Sequence, residues 1–233
     1  MKLSDLLFVF TVALLLTSCS YGDDEIFNVG VSQCSQDEWR DKMNAEMQRE
    51  AMLSHEISLE IRSANDDSRK QKEDIAYFID KKVDLLIVSP NEAGEVTPAV
   101  DEAFDAGIPV VVVDRNVTGD EYTAFISADN VQIGHMQGQY VAGNLRPGEK
   151  VIEIKGLTGS TPAMERHDGF IAGLGDAGVE IVASIDAEWS SDLACQLTDS
   201  LLRIYPDVSM IVAQNDPMAN GAYRAAEALY PRN

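Results

Sequence analysis

The sequence of 233 residues predicts an α/β fold: two lobes built of parallel βαβ units, each lobe a doubly wound sheet. Three observations carry this expectation. Short β-type runs alternate with amphipathic stretches of about a dozen residues, the pattern of strands joined by crossover helices. The runs Leu85–Val88 and Val110–Val113 are apolar without interruption, as strands covered on both faces require. Finally, Ala124–Asn130 is neither a long strand nor a turn-rich linker, and it separates a first half with four strands from a second series of βα units. That segment is expected to cross from one lobe to the other.

The chain opens on a different pattern. Lys2 precedes an apolar run, Leu6–Leu16, which is too short to span a bilayer comfortably and ends in Leu16-Thr17-Ser18-Cys19. Residues 1–18 read as an export signal, and the last four residues of the run resemble the lipobox of bacterial lipoproteins, whose cysteine carries lipid. Cys19 is therefore the candidate lipidation site, an uncleaved membrane anchor being the other reading. Residues 19–25 make a short tether; the N-terminal lobe is expected over 26–127 and the C-terminal lobe over 128–233.

Strands are expected at Phe27–Val31, Ile57–Arg62, Leu85–Ser89 and Val110–Asp114 in the first lobe. In the second they are expected at Val151–Lys155, Glu180–Ala183 and Met210–Ala213. Ser35 followed by Glu38 forms a capping box, which starts the first helix near Gln36 and gives it an apolar stripe of Trp39, Met43 and Met47. Ala99, Val100, Ala103 and Phe104 form the face of a later helix that stops at Gly107, ahead of Pro109. The glycine-containing stretch Gly156-Leu157-Thr158-Gly159-Ser160-Thr161 lacks the Gly-Lys-Ser/Thr ending of a phosphate loop and reads as a turn plus a helix cap.

Composition narrows the function. With 45% hydrophobic and 24% charged residues the chain has the material for a packed core, so global disorder is excluded. Its 39 acidic and 18 basic residues give a formal net charge of -21, which repels phosphate backbones and excludes nucleic acid as a partner. Besides Cys19, only Cys34 and Cys195 remain, in different expected lobes, so no structural disulfide is expected.

In doubly wound sheets ligands bind beyond the carboxyl ends of the strands, where loops converge. Those loops contain Asp37, Glu38, Trp39 and Arg40, then Asp114 and Arg115, then Asn215 and Asp216. Carboxylates, guanidinium groups and amides pair with vicinal hydroxyls, and the faces of Trp39 and Trp189 suit the C–H side of a sugar ring. A polyhydroxylated neutral ligand follows from that chemistry. Plainer readings stand beside it: Trp39 as the start of its helix stripe, Trp189 as a core residue, Arg115 as a solvated charge. His55, His135 and His167 have no zinc-ligand spacing and read as surface or packing residues. A glycosidase needs two carboxylates held about 5 to 10 Å apart, for which the sequence carries no signal. Neither an enzyme, a cofactor nor a metal is expected.

Several motifs resemble the ribose-binding family of periplasmic proteins, from about Ile26 onward. They are Asp114-Arg115 after a valine run, Ser127-Ala128-Asp129-Asn130, Pro162-Ala163-Met164-Glu165-Arg166 with Gly169-Phe170, and Ala213-Gln214-Asn215-Asp216. Val31-Ser32-Gln33-Cys34-Ser35, Trp39-Arg40 and the stretch from Ser160 to His167 are more similar to monosaccharide (fructose-type) sensor domains of hybrid two-component proteins. The resemblance implies a type I periplasmic-binding fold whose lobes close over a hexose or pentose, fructose among them, to drive signalling. A substrate-binding lipoprotein of a sugar ABC transporter is the alternative, and either would be periplasmic and membrane-anchored.

By the same resemblance, Asp37 and Trp39 fall on a polar and a stacking position of the site, Asp114, Arg115 and Arg166 match directly, Trp189 takes the second stacking position and Asn215 an amide contact. Arg40 stands where the family has another aromatic, which argues against ribose itself. DNA-binding repressors of this fold carry a helix-turn-helix and a basic N-terminus, which this sequence lacks. The family continues past Pro231 with another strand and further hinge crossings. The C-terminal part of the fold is therefore expected to be missing and the chain alone to be marginally stable; a full-length sensor parent could carry a histidine kinase, which this chain does not contain.

Overall fold

The structure is a computed structural model that describes residues 26–231. The export signal, Cys19 and the tether lie outside the described residues. In chain order the elements are β1 (Phe27–Gln33), α1 (Glu38–Leu53), β2 (Ile57–Ser63), α2 (Ser68–Lys81), β3 (Leu85–Ser89), α3 (Ala93–Asp105), β4 (Val110–Val113) and β5 (Ala124–Ile126). There follow α4 (Asn130–Asn144), β6 (Lys150–Lys155), α5 (Thr161–Leu174), β7 (Glu180–Asp186), α6 (Ser191–Ile204), β8 (Met210–Ala213) and α7 (Asp216–Leu229). They form two parallel sheets, ordered β2-β1-β3-β4-β5 and β7-β6-β8. Two lobes of βαβ units, as the sequence predicts, are thus present.

Helices pack against both sheets; β3 and β4 are apolar almost throughout, whereas β1 and β6, inside their sheets, also bury the polar residues Ser32, Gln33 and Glu153. In the first, Leu86, Val88, Val110 and Val112 pack with Ile75 and Phe78 of α2 and with Val96 and Val100 of α3. Phe78 lies across β1 because Gly30 has no side chain; a Cβ there would stand 2.6 Å from the ring. In the second, Ile152 and Ile154 pack with Ala194 of α6 and Met218 of α7, while Val151 packs with Val141 of α4 and Phe170 of α5.

The helices α4 and α5 approach until their backbones touch. A Cβ on Gly134 would lie 2.0 Å from the carbonyl oxygen of Arg166, and one on Gly169 would lie 2.1 Å from that of Val131. Gly138 and Gly173 repeat the arrangement one turn further on, at 2.2 Å each from the facing carbonyls of Phe170 and His135. This close crossing fixes the start of α4 against the first half of α5.

Four expectations are corrected. The helix α1 starts at Glu38, capped by Asp37, which accepts the Arg40 N–H at 2.8 Å. Ser35 instead donates to the Asp37 carboxylate at 3.1 Å, because an ionised cap outcompetes a hydroxyl for the helix amide. The apolar stripe also fails: Arg40 is the buried residue of α1, and Trp39 is 54% exposed. Ala124–Ile126 is not wholly a crossing but an edge strand paired in parallel with β4, and the crossing follows it. Ser160 precedes α5 without capping it, since its hydroxyl turns back to the Leu157 carbonyl at 2.7 Å.

Candidate functional site

The strand β4 ends at Val113, and Asp114 departs from it with φ of 63°, the left-handed region that side chains other than glycine rarely adopt. The edge strand β5 holds it there. The Asp114 N–H donates to the Ile126 carbonyl at 2.8 Å, and the Asp114 carbonyl accepts the Ser127 hydroxyl at 2.6 Å. A strained backbone of this kind costs of order 1 to 3 kcal/mol and persists where its surroundings over-determine it.

From that turn the Asp114 carboxylate reaches Arg40, whose Nη2 lies 2.9 Å away. Arg40 is 5% exposed; its Nη1 donates to Asp37 at 2.7 Å and its Nε to Cys34 Sγ at 3.0 Å. Burial disfavours the Arg40 charge, but Cys34, Asp114 and Asp37 outweigh it and hold the pKa above the ordinary arginine value. Burial likewise works against the Asp37 charge, and the Arg40 N–H and guanidinium overcome it, holding the carboxyl below the ordinary aspartate range. The cap of α1 and the ion pair at the strand ends are therefore one unit.

Arg115 turns the other way and is 4% exposed. Its Nη1 donates to the carbonyl of Asn91 at 2.9 Å and to the Asn91 side chain at 3.3 Å, and burial pushes its pKa down. Asn91 is itself fixed: its N–H donates to Gln71 Oε1 at 2.8 Å, and its amide donates to Ser68 Oγ at 3.0 Å. Arg115 is thus not a solvated surface charge.

In the second lobe Arg166 donates from Nε to Asn130 Oδ1 at 3.0 Å and from Nη1 to the Gln214 carbonyl at 2.6 Å. Burial lowers its pKa, with Asp114 opposing from the first lobe. Trp189 follows β7 in a loop where Glu188 and Trp189 both take positive φ, 52° and 64°. Its ring fills the space that a side chain at Gly156 would need, a Cβ there lying 2.2 Å from the indole. The guanidinium of Arg166 lies 5.6 Å from the Trp189 ring centre and that of Arg115 lies 5.9 Å from it, so cations from both lobes face one indole. The Trp189 Nε1–H is buried without a partner among the described residues.

Asn215 caps α7, its side-chain oxygen accepting the Met218 N–H at 2.9 Å, which leaves its amide NH2 as a donor; the preceding residue, Gln214, gives its carbonyl to Arg166. Trp39 stands exposed, with the Arg40 guanidinium 5.4 Å from its ring centre. The structure therefore joins Asp37, Arg40 and Asp114 in one cluster and Arg115, Trp189 and Arg166 in another. Sequence reasoning missed Asn91, Gln71 and Gln214, although Asn91 and Gln214 fall just beyond strand ends, the signal used for the others. It also missed that His167 Nδ1 lies 2.9 Å from the Glu153 carboxylate, which is 1% exposed. Among the described residues no group of three or more His, Cys, Asp or Glu is arranged to hold a metal ion.

The periplasmic binding protein domain model matches residues 29–230, nearly all of the described chain. The chain belongs to the periplasmic binding protein family. Within this family it is similar to the fructose binding periplasmic domain of a hybrid two-component system, with 49% identity and a TM-score of 0.84 over 87% of this chain and 68% of that one. An ABC transporter solute binding protein from Bacillus halodurans C-125 with bound myo-inositol gives 29% identity and a TM-score of 0.84 over 89% of this chain and 73% of that one. The ribose import binding protein RbsB of Bacillus subtilis (strain 168) is 32% identical over 162 residues, 70% of this chain and 53% of the relative. The chain thus spans about half the length of the curated relatives it matches.

Proposed function

We propose that the chain is the monosaccharide-binding part of an exported sensor protein, with the sugar held between the lobes so that binding favours closure. The observation that carries this reading is the single indole of Trp189 faced by Arg115 from one lobe and Arg166 from the other. An aromatic face for the C–H side of a sugar, flanked by bidentate donors and by the carboxylates of Asp37 and Asp114, is the chemistry that vicinal hydroxyls need. Asp37, Trp39, Arg40, Asp114, Arg115, Arg166, Trp189 and Asn215 are the proposed contacts, Trp39 from the exposed rim and Asn215 through its free amide. The proposed lobes are residues 26–127 and 128–233.

The 49% identity to a sensor domain titled fructose binding supports the sensor reading and makes fructose the first sugar to test. Binding without turnover fits the family. The transporter alternative draws on the Leu16-Thr17-Ser18-Cys19 box, which favours a lipid-anchored subunit in the periplasm. Reading the gene beyond codon 233 separates the two: a membrane helix and kinase region supports the sensor, a stop shortly after the last family strand supports the transporter subunit. Titration calorimetry of the full-length protein against pentoses and hexoses, fructose and ribose included, tests the shared part. One sugar binding saturably is expected; no heat from any of them overturns the reading.

A further inference from the structure

We infer that Ala93 and Asn116 of the first lobe and Gly159 and Thr161 of the second, with Glu92 as a brace, form a latch whose direct hydrogen bonds between the lobes favour the closed form already in the sugar-free protein. The first N–H groups of a helix have no partner within it. The N-cap of α3, Glu92, offers no side-chain cap, and the N–H of Ala93, the first residue of α3, donates instead to the Gly159 carbonyl at 3.0 Å. One lobe therefore caps a helix of the other. Beside this bond a second runs the same way: the Asn116 N–H donates to the hydroxyl of Thr161, the first residue of α5, at 2.8 Å.

Gly159 leaves no room for anything larger. A Cβ there would lie 2.8 Å from Glu92 Oε1 and 2.9 Å from Glu92 Cγ. Glu92 is not free to move aside, because Ser68 Oγ donates to its Oε2 at 2.9 Å. The Glu92 carboxylate is thus tied down as a buttress, and the cap of α3 is supplied by the other lobe. Separation of the lobes returns both N–H groups to water, so the latch stabilises only the closed form. A contact of that kind raises the closed population of the free protein and slows release of whatever is enclosed.

The consequence for ligand release rests on the sugar-binding reading; the closure itself does not. In the full-length protein, Thr161→Val removes the acceptor and keeps the shape, while Gly159→Val pushes against Glu92. Sugar dissociation, followed by stopped-flow tryptophan fluorescence, should quicken about three- to tenfold in Thr161→Val with association nearly unchanged. Small-angle scattering of the sugar-free variants should give a larger radius of gyration than the wild type. Thermal melts identify a Gly159→Val protein that fails to fold, in which case Thr161→Val decides alone. Unchanged dissociation and unchanged scattering in the folded variants overturn the latch. If the wild type binds no sugar, the sugar-binding reading fails and the scattering comparison still decides the latch.

Discussion

Asp114 joins a left-handed backbone to a carboxylate that Arg40, itself buried, depends on. Asparagine tolerates that backbone and valine does not. Both Asp114→Asn and Asp114→Val lose the ion pair to Arg40, but only the valine should add a backbone penalty of about 1 to 3 kcal/mol, seen as a Tm clearly below that of Asp114→Asn. Equal melting of the two variants would show that the turn is not under strain. Asp37 gives a pH prediction. Its pKa in the folded chain is depressed, so its stabilising contribution is complete above the unfolded value of about 3.9 and is lost as pH falls through the lower folded value. Below about pH 4 the Tm of the wild type should fall toward that of Asp37→Asn, the two being furthest apart near neutrality. A constant difference across that range contradicts the assignment. Most of these residues were legible in the sequence because they follow strands directly. Their partners were not: Asn91 meets Gln71 across 20 positions and His167 meets Glu153 across 14, pairings that only the packed sheets create.

Among the elements, strands with continuous apolar runs were read within a residue or two, since burial on both faces leaves little else they can be. The misreadings fall where one short polar group decides the outcome. Asp37 rather than Ser35 caps α1, and α1 in turn buries its Arg40 face because two carboxylates wait for the guanidinium. Three residues of β5 are too few to announce a strand, yet they pin Asp114. The glycines of α4 and α5 carried no sequence signal beyond their spacing, and their role appears only in the touching backbones. Gly169→Val should force these helices apart and destabilise the protein by at least about 1 to 3 kcal/mol, several degrees in Tm. Because Arg166 rides on α5 against Asn130 of α4, the same change should weaken sugar binding in protein that remains folded. An unaltered Tm would mean that the crossing is looser than the structure has it.

At the scale of the whole molecule, the net charge of -21 disfavours polyanionic partners and is compatible with the neutral sugar proposed for the cluster of paired charges. The proposal that Leu16-Thr17-Ser18-Cys19 acts as a lipobox predicts that mass spectrometry of the membrane fraction finds acyl chains on Cys19 as the new N-terminus. Recovery of an intact Met1 there would point to an uncleaved anchor. The central claim is that one sugar touches both lobes, and titration calorimetry of single substitutions in the full-length protein tests it most directly. Charge-assisted hydrogen bonds contribute about 1.5 to 3 kcal/mol each, so Asp114→Ala in the first lobe and Arg166→Ala in the second should each weaken the best sugar at least about tenfold. Trp189→Ala should do the same through lost stacking area, while Glu95→Ala on the exposed face of α3 should change almost nothing. Asp114→Ala and Arg166→Ala proteins that bind that sugar as tightly as the wild type would contradict the account.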